Sequence, residues 1–94
     1  MTYIDDLASR VEDAIPPDLR PRDDAQRLYR LYALLALVKG AHVTAEDVHD
    51  AWAVWITERN SGHPSLVPFV ELDQDIQESD QPFVDSIRQV ARNG

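Results

Sequence analysis

The chain contains no cysteine in its 94 residues. A disulfide framework and a thiolate metal site are therefore excluded, which fits a reducing cytoplasm. No apolar run reaches the roughly 20 residues of a membrane-spanning helix, because the longest, over residues 31–38, includes Tyr32 and ends before Lys39. The first residues are acidic, whereas a signal peptide starts with a basic segment. We therefore expect an unprocessed protein of the bacterial or host-cell cytoplasm.

Basic residues are scarce and unevenly placed. The formal net charge is -8, and only Lys39 of the nine basic residues is a lysine. No Lys or Arg lies between Arg59 and Arg88, whereas that interval holds Glu71, Asp73, Asp75, Glu78, Asp80 and Asp85. A surface of this charge repels phosphate backbones, so direct nucleic-acid binding is not expected. Frequent arginine and alanine are typical of a GC-rich genome, such as that of an actinobacterium or one of its phages.

Helical periodicity predicts two helices in the first part of the chain. Thr2 and Asp5 have the spacing of a capping box, which starts a helix over residues 3–15. After a proline-rich connector, a second helix begins near Asp23 or Asp24 and ends near Gly40. Its middle is apolar on all sides, which marks it as the helix that the others pack against. We expect residues 1–43 to form an N-terminal helical pair.

Two further helices follow, separated by a proline-rich loop. Thr44 caps a third helix that ends before Gly62, and Pro82 opens a last one. Between them, residues 66–70 are expected to be extended, although Pro68 argues against a central strand, and residues 73–79 to form one helical turn. The expected fold is mainly α: one domain over residues 1–94, with four helices and an extended loop between the third and fourth.

Patterns that support catalysis or metal binding are missing. The three histidines lack the spacing of a zinc helix. No serine has a nucleophile-elbow context, and the three glycines are isolated rather than grouped in a phosphate-binding loop. The third helix carries acids before its first base, Arg59, which disfavours a DNA-reading helix. We expect no enzyme activity, no metal and no cofactor.

Two tryptophans on the third helix suggest a cleft. Trp52 and Trp55 are three residues apart and are therefore neighbours on one helix face. The simplest interpretation is that both lie in the core. The alternative is that an indole forms one wall of a cleft whose other wall is the proline-bounded loop, because such a loop is a rigid rim.

This region resembles the ryanodine-receptor repeat family. The resemblance rests on HxxW at residues 49–52, HPSLVPFVEL at residues 63–72, and Asp80 before an amphipathic helix. It covers residues 44–92 and implies a small helical module without catalytic activity that binds a nucleotide-like ligand. It also implies that the loop is a packed strap lying against Trp52.

We therefore expect a non-enzymatic module that binds a small, nucleotide-type ligand. The expected binding residues are His49, Trp52, Trp55, Arg59 and His63. The alternative is a protein-interaction or homodimerisation module, such as a phage accessory protein acting on a host protein. A weaker alternative is an acidic mimic of DNA, which the carboxylates of residues 71–85 suggest.

Overall fold

The computed structural model describes residues 2–21 and 25–93, and this part of the chain is helical and contains no β-strand. The helices are α1 (Tyr3–Ala14), α2 (Gln26–Val38), α3 (Ala45–Arg59), the short α4 (Gln74–Glu78) and α5 (Gln81–Asn93). Three 3-10 turns lie at Pro17–Leu19, Gly40–His42 and Phe69–Glu71. The predicted mainly α fold is confirmed, with α1, α2, α3 and α5 as the four main helices. The predicted start of the second helix, at Asp23 or Asp24, lies outside the described residues.

Local side-chain signals set the helix ends. The Thr2 and Thr44 hydroxyls each accept a hydrogen bond from the backbone amide three residues later, at 3.2 Å. In both cases the aspartate at that position accepts from the amide of the threonine, which completes a capping box. Gly40 follows α2 with a φ of 59°, a left-handed conformation that glycine adopts without steric cost. These three predicted helix signals are confirmed.

The core lies between the four main helices. Each of these helices directs apolar residues at helical spacing into the core. Val43, in the turn after α2, adds another buried side chain. The largest side chains that are fully buried are Val11, Ile15, Leu28, Val43, Val48, Val84 and Ile87. The N-terminal pair, α1 and α2, therefore shares one core with α3 and α5.

Polar bonds between distant parts of the chain hold the helices together. The Arg30 guanidinium on α2 lies 2.8 Å from the Asp5 carboxylate on α1. The Ser86 hydroxyl on α5 lies 3.1 Å from the carbonyl oxygen of Ala14 and 2.8 Å from that of Pro82, and the two oxygens share its one proton. Arg88 donates to the carbonyl oxygen of Val43 at 2.9 Å, which fixes α5 beside the turn that follows α2.

The prediction that the other helices pack against α2 is confirmed. The helix contacts α1, α3 and α5, as expected of a central helix. However, Leu34, Leu37 and Val38 are about half exposed or more, at 49%, 50% and 66%. The neighbouring helices cover only the side of α2 that carries its buried residues, among them Tyr32 and Ala33. The apolar outer side stays uncovered in the single chain.

Residues 63–72, which we call the strap, connect α3 to α4. The expectation that residues 66–70 are extended was wrong at Phe69, which starts a 3-10 turn. Pro68 precedes this turn with a φ of -53°, and its carbonyl oxygen accepts from the Glu71 amide at 2.9 Å. A proline at this position favours a turn, because its φ is fixed and it offers no amide for strand pairing.

Candidate functional site

A cavity of about 370 Å³ lies between α2, α3, the strap and the α4–α5 junction, with the connector after α1 at one side. Four aromatic rings, two imidazoles and one carboxylate contribute to its wall. The described residues that line it are Leu19, Pro21, Leu28, Tyr32, His49, Trp52, Trp55, His63, Ser65, Ile76, Ser79, Asp80 and Phe83. Its volume falls within the range typical of small-molecule sites.

Helix α3 supplies the most aromatic side of the cavity. His49, Trp52 and Trp55 succeed each other at intervals of three residues, so their side chains share one side of the helix. The rings of His49 and Trp52 stack with centroids 5.5 Å apart and an interplanar angle of 28°. Trp55 is 8% exposed, whereas Trp52 is only half-buried. Trp55 is therefore both a core residue and a wall residue.

His49 also fastens the strap to α3. Its Nε2 lies 2.6 Å from the carbonyl oxygen of Val67. Because a carbonyl oxygen can only accept, Nε2 carries the proton and donates it. The ring is 3% exposed, and its centroid lies 6.0 Å from that of Phe69 on the strap. The predicted packing of the strap against the tryptophan side of α3 is present.

His63 completes this side from the first position of the strap. Its ring meets the Trp52 indole edge to face, with centroids 5.0 Å apart and an interplanar angle of 82°. The Ser65 amide donates to Nδ1 at 3.0 Å, which orients the imidazole. Because Nδ1 accepts, the proton of the neutral ring lies on Nε2.

The opposite wall comes from α2 and α5. The rings of Tyr32 and Phe83 pack with centroids 6.1 Å apart at a tilt of 45°. Burial raises the pKa of the Tyr32 hydroxyl far above its usual range, and the charge of Asp80 raises it further. Tyr32 is therefore a neutral hydrogen-bonding group at every physiological pH.

Asp80 is the one carboxylate in the described lining of the cavity. It directly precedes α5, and its backbone carbonyl accepts from the Val84 amide at 3.1 Å. Among the described residues, no side chain or amide donates a hydrogen bond to its carboxylate and no cation forms an ion pair with it. Burial raises the pKa of the Asp80 carboxyl, and the nearby His49 ring opposes that rise.

The structure brings four of the five expected binding residues to one cavity: His49, Trp52, Trp55 and His63. Arg59 is not among the lining residues. Its guanidinium carbon lies 4.9 Å from the centre of the Trp55 ring, in the position of a cation–π contact. The one base among the expected binding residues therefore lies against the indole rather than at the cavity wall.

Sequence reasoning missed Tyr32, Phe83 and Asp80 as wall residues. Tyr32 and Phe83 lie on apolar faces of α2 and α5, for which packing between helices is the simplest interpretation. Asp80 was noted within an acidic segment, where most carboxylates are expected in solvent. No signal in the sequence separates Asp80 from the other acids of residues 71–85.

The arrangement can enclose a small ligand with apolar or aromatic surface and offer it one carboxylate. The described residues contain no group of three potential metal ligands. None of the described helices combines the length and the hydrophobicity that crossing a membrane requires.

The comparison with known families identifies this chain as a member of DUF7701, a domain of unknown function, which it matches over residues 2–92. No curated protein and no solved structure matches the chain. The family match takes in α1 and α2 together with the later helices.

The resemblance to the ryanodine-receptor repeat was wrong, because DUF7701 is the family found and no ryanodine-receptor repeat is detected. The residues that carried the resemblance have local structural causes. A histidine that holds a carbonyl, a tryptophan beside it and two prolines in the strap form a short packing unit. Such a unit can hold a loop against a helix in unrelated proteins. A few matching residues therefore do not establish membership of the same family.

Proposed function

We propose that this domain binds a small organic molecule in the cavity between α3, the strap and the α4–α5 junction, without catalysing a reaction on it. The observation that supports the proposal is the composition of the wall. Side chains from separate elements converge there, and four of them are large aromatic rings. Apolar walls with a few polar groups are typical of ligand sites.

Contacts within the wall also hold its two imidazoles in place. Stacking with Trp52 and the bond to the Val67 carbonyl hold His49, while the Ser65 amide holds His63. A preformed wall binds with less loss of conformational entropy than a flexible one. A nucleotide is a less suitable ligand than an uncharged or cationic molecule, because the described lining contains neither Lys nor Arg to bind a phosphate.

A thermal-unfolding screen of the intact protein tests the proposal. Neutral aromatic compounds, organic cations and adenine nucleotides are added at millimolar concentrations. A ligand at ten times its Kd stabilises the folded state by about 1.4 kcal/mol. For a domain of this size, that corresponds to a rise in Tm of roughly 5–10 °C.

Two phenylalanine variants locate the binding. Ser79→Phe adds a ring at an exposed lining position and is expected to abolish the rise in Tm. Ser61→Phe makes the same change at an exposed serine that does not line the cavity, and should leave the rise unchanged. The proposal is wrong if no compound class raises Tm, or if both variants respond like the wild type.

A second candidate function is homodimerisation through α2. The uncovered residues Leu34, Leu37 and Val38 favour it, and beside them Tyr3 of α1 is 72% exposed. A groove of about 330 Å³ adjoins this surface and contains both Asp6 and Arg10, so a second copy could pair opposite charges across it. Sedimentation of the wild type against Leu37→Glu tests this: a dimer that the variant dissociates supports it, and a monomer in both excludes it.

A further inference from the structure

We infer that the ligand of this cavity is a small organic cation, held by the Asp80 carboxylate and the faces of the surrounding aromatic rings. This inference rests on the proposed function and assigns a ligand class to the same site. It replaces the nucleotide-type anion that the sequence suggested.

The charge of the described wall favours a cation. Asp80 is the only formally charged side chain among the described lining residues. Its carboxylate is half-buried and has no hydrogen-bond donor or ion-pair partner in residues 2–21 and 25–93. Partial burial of a carboxylate without a partner is unfavourable, and a bound cation supplies the missing opposite charge.

Some of the hydrogen-bond donors that could bind an anion already donate to backbone carbonyls. The Nε2 proton of His49 is donated to the Val67 carbonyl, and the Ser79 hydroxyl donates to the Ile76 carbonyl at 2.5 Å. An anionic ligand would also lie beside Asp80, where like charges repel. The described wall therefore disfavours the ligand class that carries a phosphate.

The aromatic rings distinguish a cation from a neutral apolar molecule. The face of an aromatic ring carries partial negative charge, and a cation over that face gains roughly 0.5–2 kcal/mol. Tyr32, Trp52 and Phe83 provide such rings in the wall. The fourth ring, Trp55, already has the Arg59 guanidinium over it, so it is not counted as a contact for the ligand's charge.

The volume limits the size of the ligand. A water molecule occupies about 30 Å³ in the liquid, so a cavity of about 370 Å³ corresponds to a dozen waters. A quaternary or tertiary amine of about a dozen non-hydrogen atoms or fewer fits this volume. Choline is a suitable probe, because replacement of its nitrogen by carbon gives 3,3-dimethylbutan-1-ol, which has the same shape and no charge.

Titration of the wild-type protein with these two probes, and with adenosine monophosphate as an anionic third probe, followed by tryptophan fluorescence, tests the inference. Both tryptophans of the chain line the cavity, so the signal reports on the site. We expect choline to bind at least about tenfold more tightly than the alcohol, because only choline interacts with the carboxylate charge. Equal affinity, or tighter binding of the alcohol, overturns the inference.

A pair of charge-neutralising variants separates the local carboxylate from the net charge. Asp80→Asn is expected to weaken choline binding about tenfold or more and to leave the binding of the alcohol unchanged. Asp85→Asn removes the same charge from an exposed position on α5 that does not line the cavity, and should leave both affinities unchanged. Equal losses in the two variants contradict the assignment to Asp80. The wild-type comparison stands even if Asp80→Asn does not fold.

Failure of this inference differs from failure of the proposed function. If the alcohol or adenosine monophosphate binds at the cavity and choline does not, the domain is still a binding module but its ligand is not a cation. If none of the three probes changes the fluorescence and the thermal screen is also negative, both proposals fall.

Discussion

His49 on α3 donates a hydrogen bond from Nε2 to the carbonyl oxygen of Val67 at 2.6 Å, and this bond joins the strap to the helix. The two residues are eighteen positions apart. Between them lies His63, whose ring meets Trp52. One buried imidazole therefore attaches the loop that forms a side of the cavity to α3.

We expect His49→Phe to destabilise the fold by about 1–3 kcal/mol. The variant keeps a ring that can stack on Trp52 but removes the donor, which leaves the Val67 carbonyl without its partner. Urea unfolding measures the change. His42→Phe is the control, because His42 is exposed in the turn after α2 and should change stability by less than about 0.5 kcal/mol. Equal effects of the two substitutions would contradict the role of His49.

Amide hydrogen exchange should show that His49→Phe destabilises the strap in particular. In the wild type, the Leu66 amide donates to the His63 carbonyl at 3.0 Å, and the Leu72 amide donates to the Phe69 carbonyl at 3.0 Å. His49→Phe should speed the exchange of both amides more than that of amides within α1. Uniform acceleration along the chain would indicate global destabilisation without release of the strap.

Asp80→Asn should raise the free energy of unfolding at neutral pH. Burial raises the pKa of Asp80 above its ordinary value of 3.8, so the folded state binds its proton more tightly than the unfolded state. Stability contributed by this group therefore falls as the pH rises from the ordinary pKa through the folded pKa. The increase in the free energy of unfolding caused by Asp80→Asn should be present at pH 7 and absent well below pH 3.8. Denaturant unfolding at several pH values measures it.

The exposed Asp85 provides the comparison for that measurement. Asp85→Asn should show no such pH-dependent gain, because its carboxylate lies at the surface of α5 and accepts from the Gln81 amide group at 2.9 Å. A loss of stability in Asp80→Asn at pH 7 would indicate that the carboxylate is a structural group. Stabilisation with loss of choline binding is the pattern of a functional residue that costs stability.

Thr44→Ala should destabilise the protein by about 0.5–2 kcal/mol. The Thr44 hydroxyl accepts from the Asp47 amide at the start of α3, and without it this amide loses its partner. Thr57→Ala is the matched control within the same helix. The Thr57 hydroxyl donates to the Ala53 carbonyl, which is already part of the helical ladder, so its loss should be neutral or slightly favourable. Thermal unfolding measures both variants, and Thr44→Ala should have the lower Tm.

Gly40→Ala should cost roughly 1–2 kcal/mol, because a side chain disfavours the left-handed conformation at φ 59°. No atom lies within 4 Å of the position that the new Cβ would take, so the cost comes from the backbone alone. Gly62→Ala is the control, since its φ is outside the left-handed region and its Cβ would be 3.7 Å from the Asn60 Oδ1. That variant should be neutral or more stable by up to about 1 kcal/mol. Equal losses would contradict this explanation.

Local features of this fold could be predicted from the sequence because their causes are local. The capping boxes at Thr2 and Thr44 depend on residues three positions apart. The shared face of His49 and Trp52 follows from helix geometry, and the prolines of residues 63–72 predict a stiff segment. For the same reason, the sequence could predict that His49, Trp52 and Trp55 share one side of α3, whereas their binding of a ligand stays a prediction.

The rest of the site depends on contacts between distant segments. Tyr32 and Phe83 are about fifty residues apart, and only the packing of α5 against α2 brings their rings together. Asp80 resembles its acidic neighbours in sequence and differs from them only by its burial. Arg59 has the right spacing for the tryptophan face, but its side chain folds back onto Trp55. Hydrophobic periodicity predicts which residues share a face of a helix, but it does not predict which distant segment packs against that face.

The most direct test of binding in this cavity is an amide and indole NMR titration of the wild-type protein with choline. We expect the indole N–H signals of Trp52 and Trp55 to shift together and to saturate, along with the backbone signals of His63 and Asp80. Signals on the outer side of α2, such as that of Leu37, should not move. Shifts confined to that outer side, or no saturable shift with choline, the neutral alcohol or adenosine monophosphate, would contradict the account.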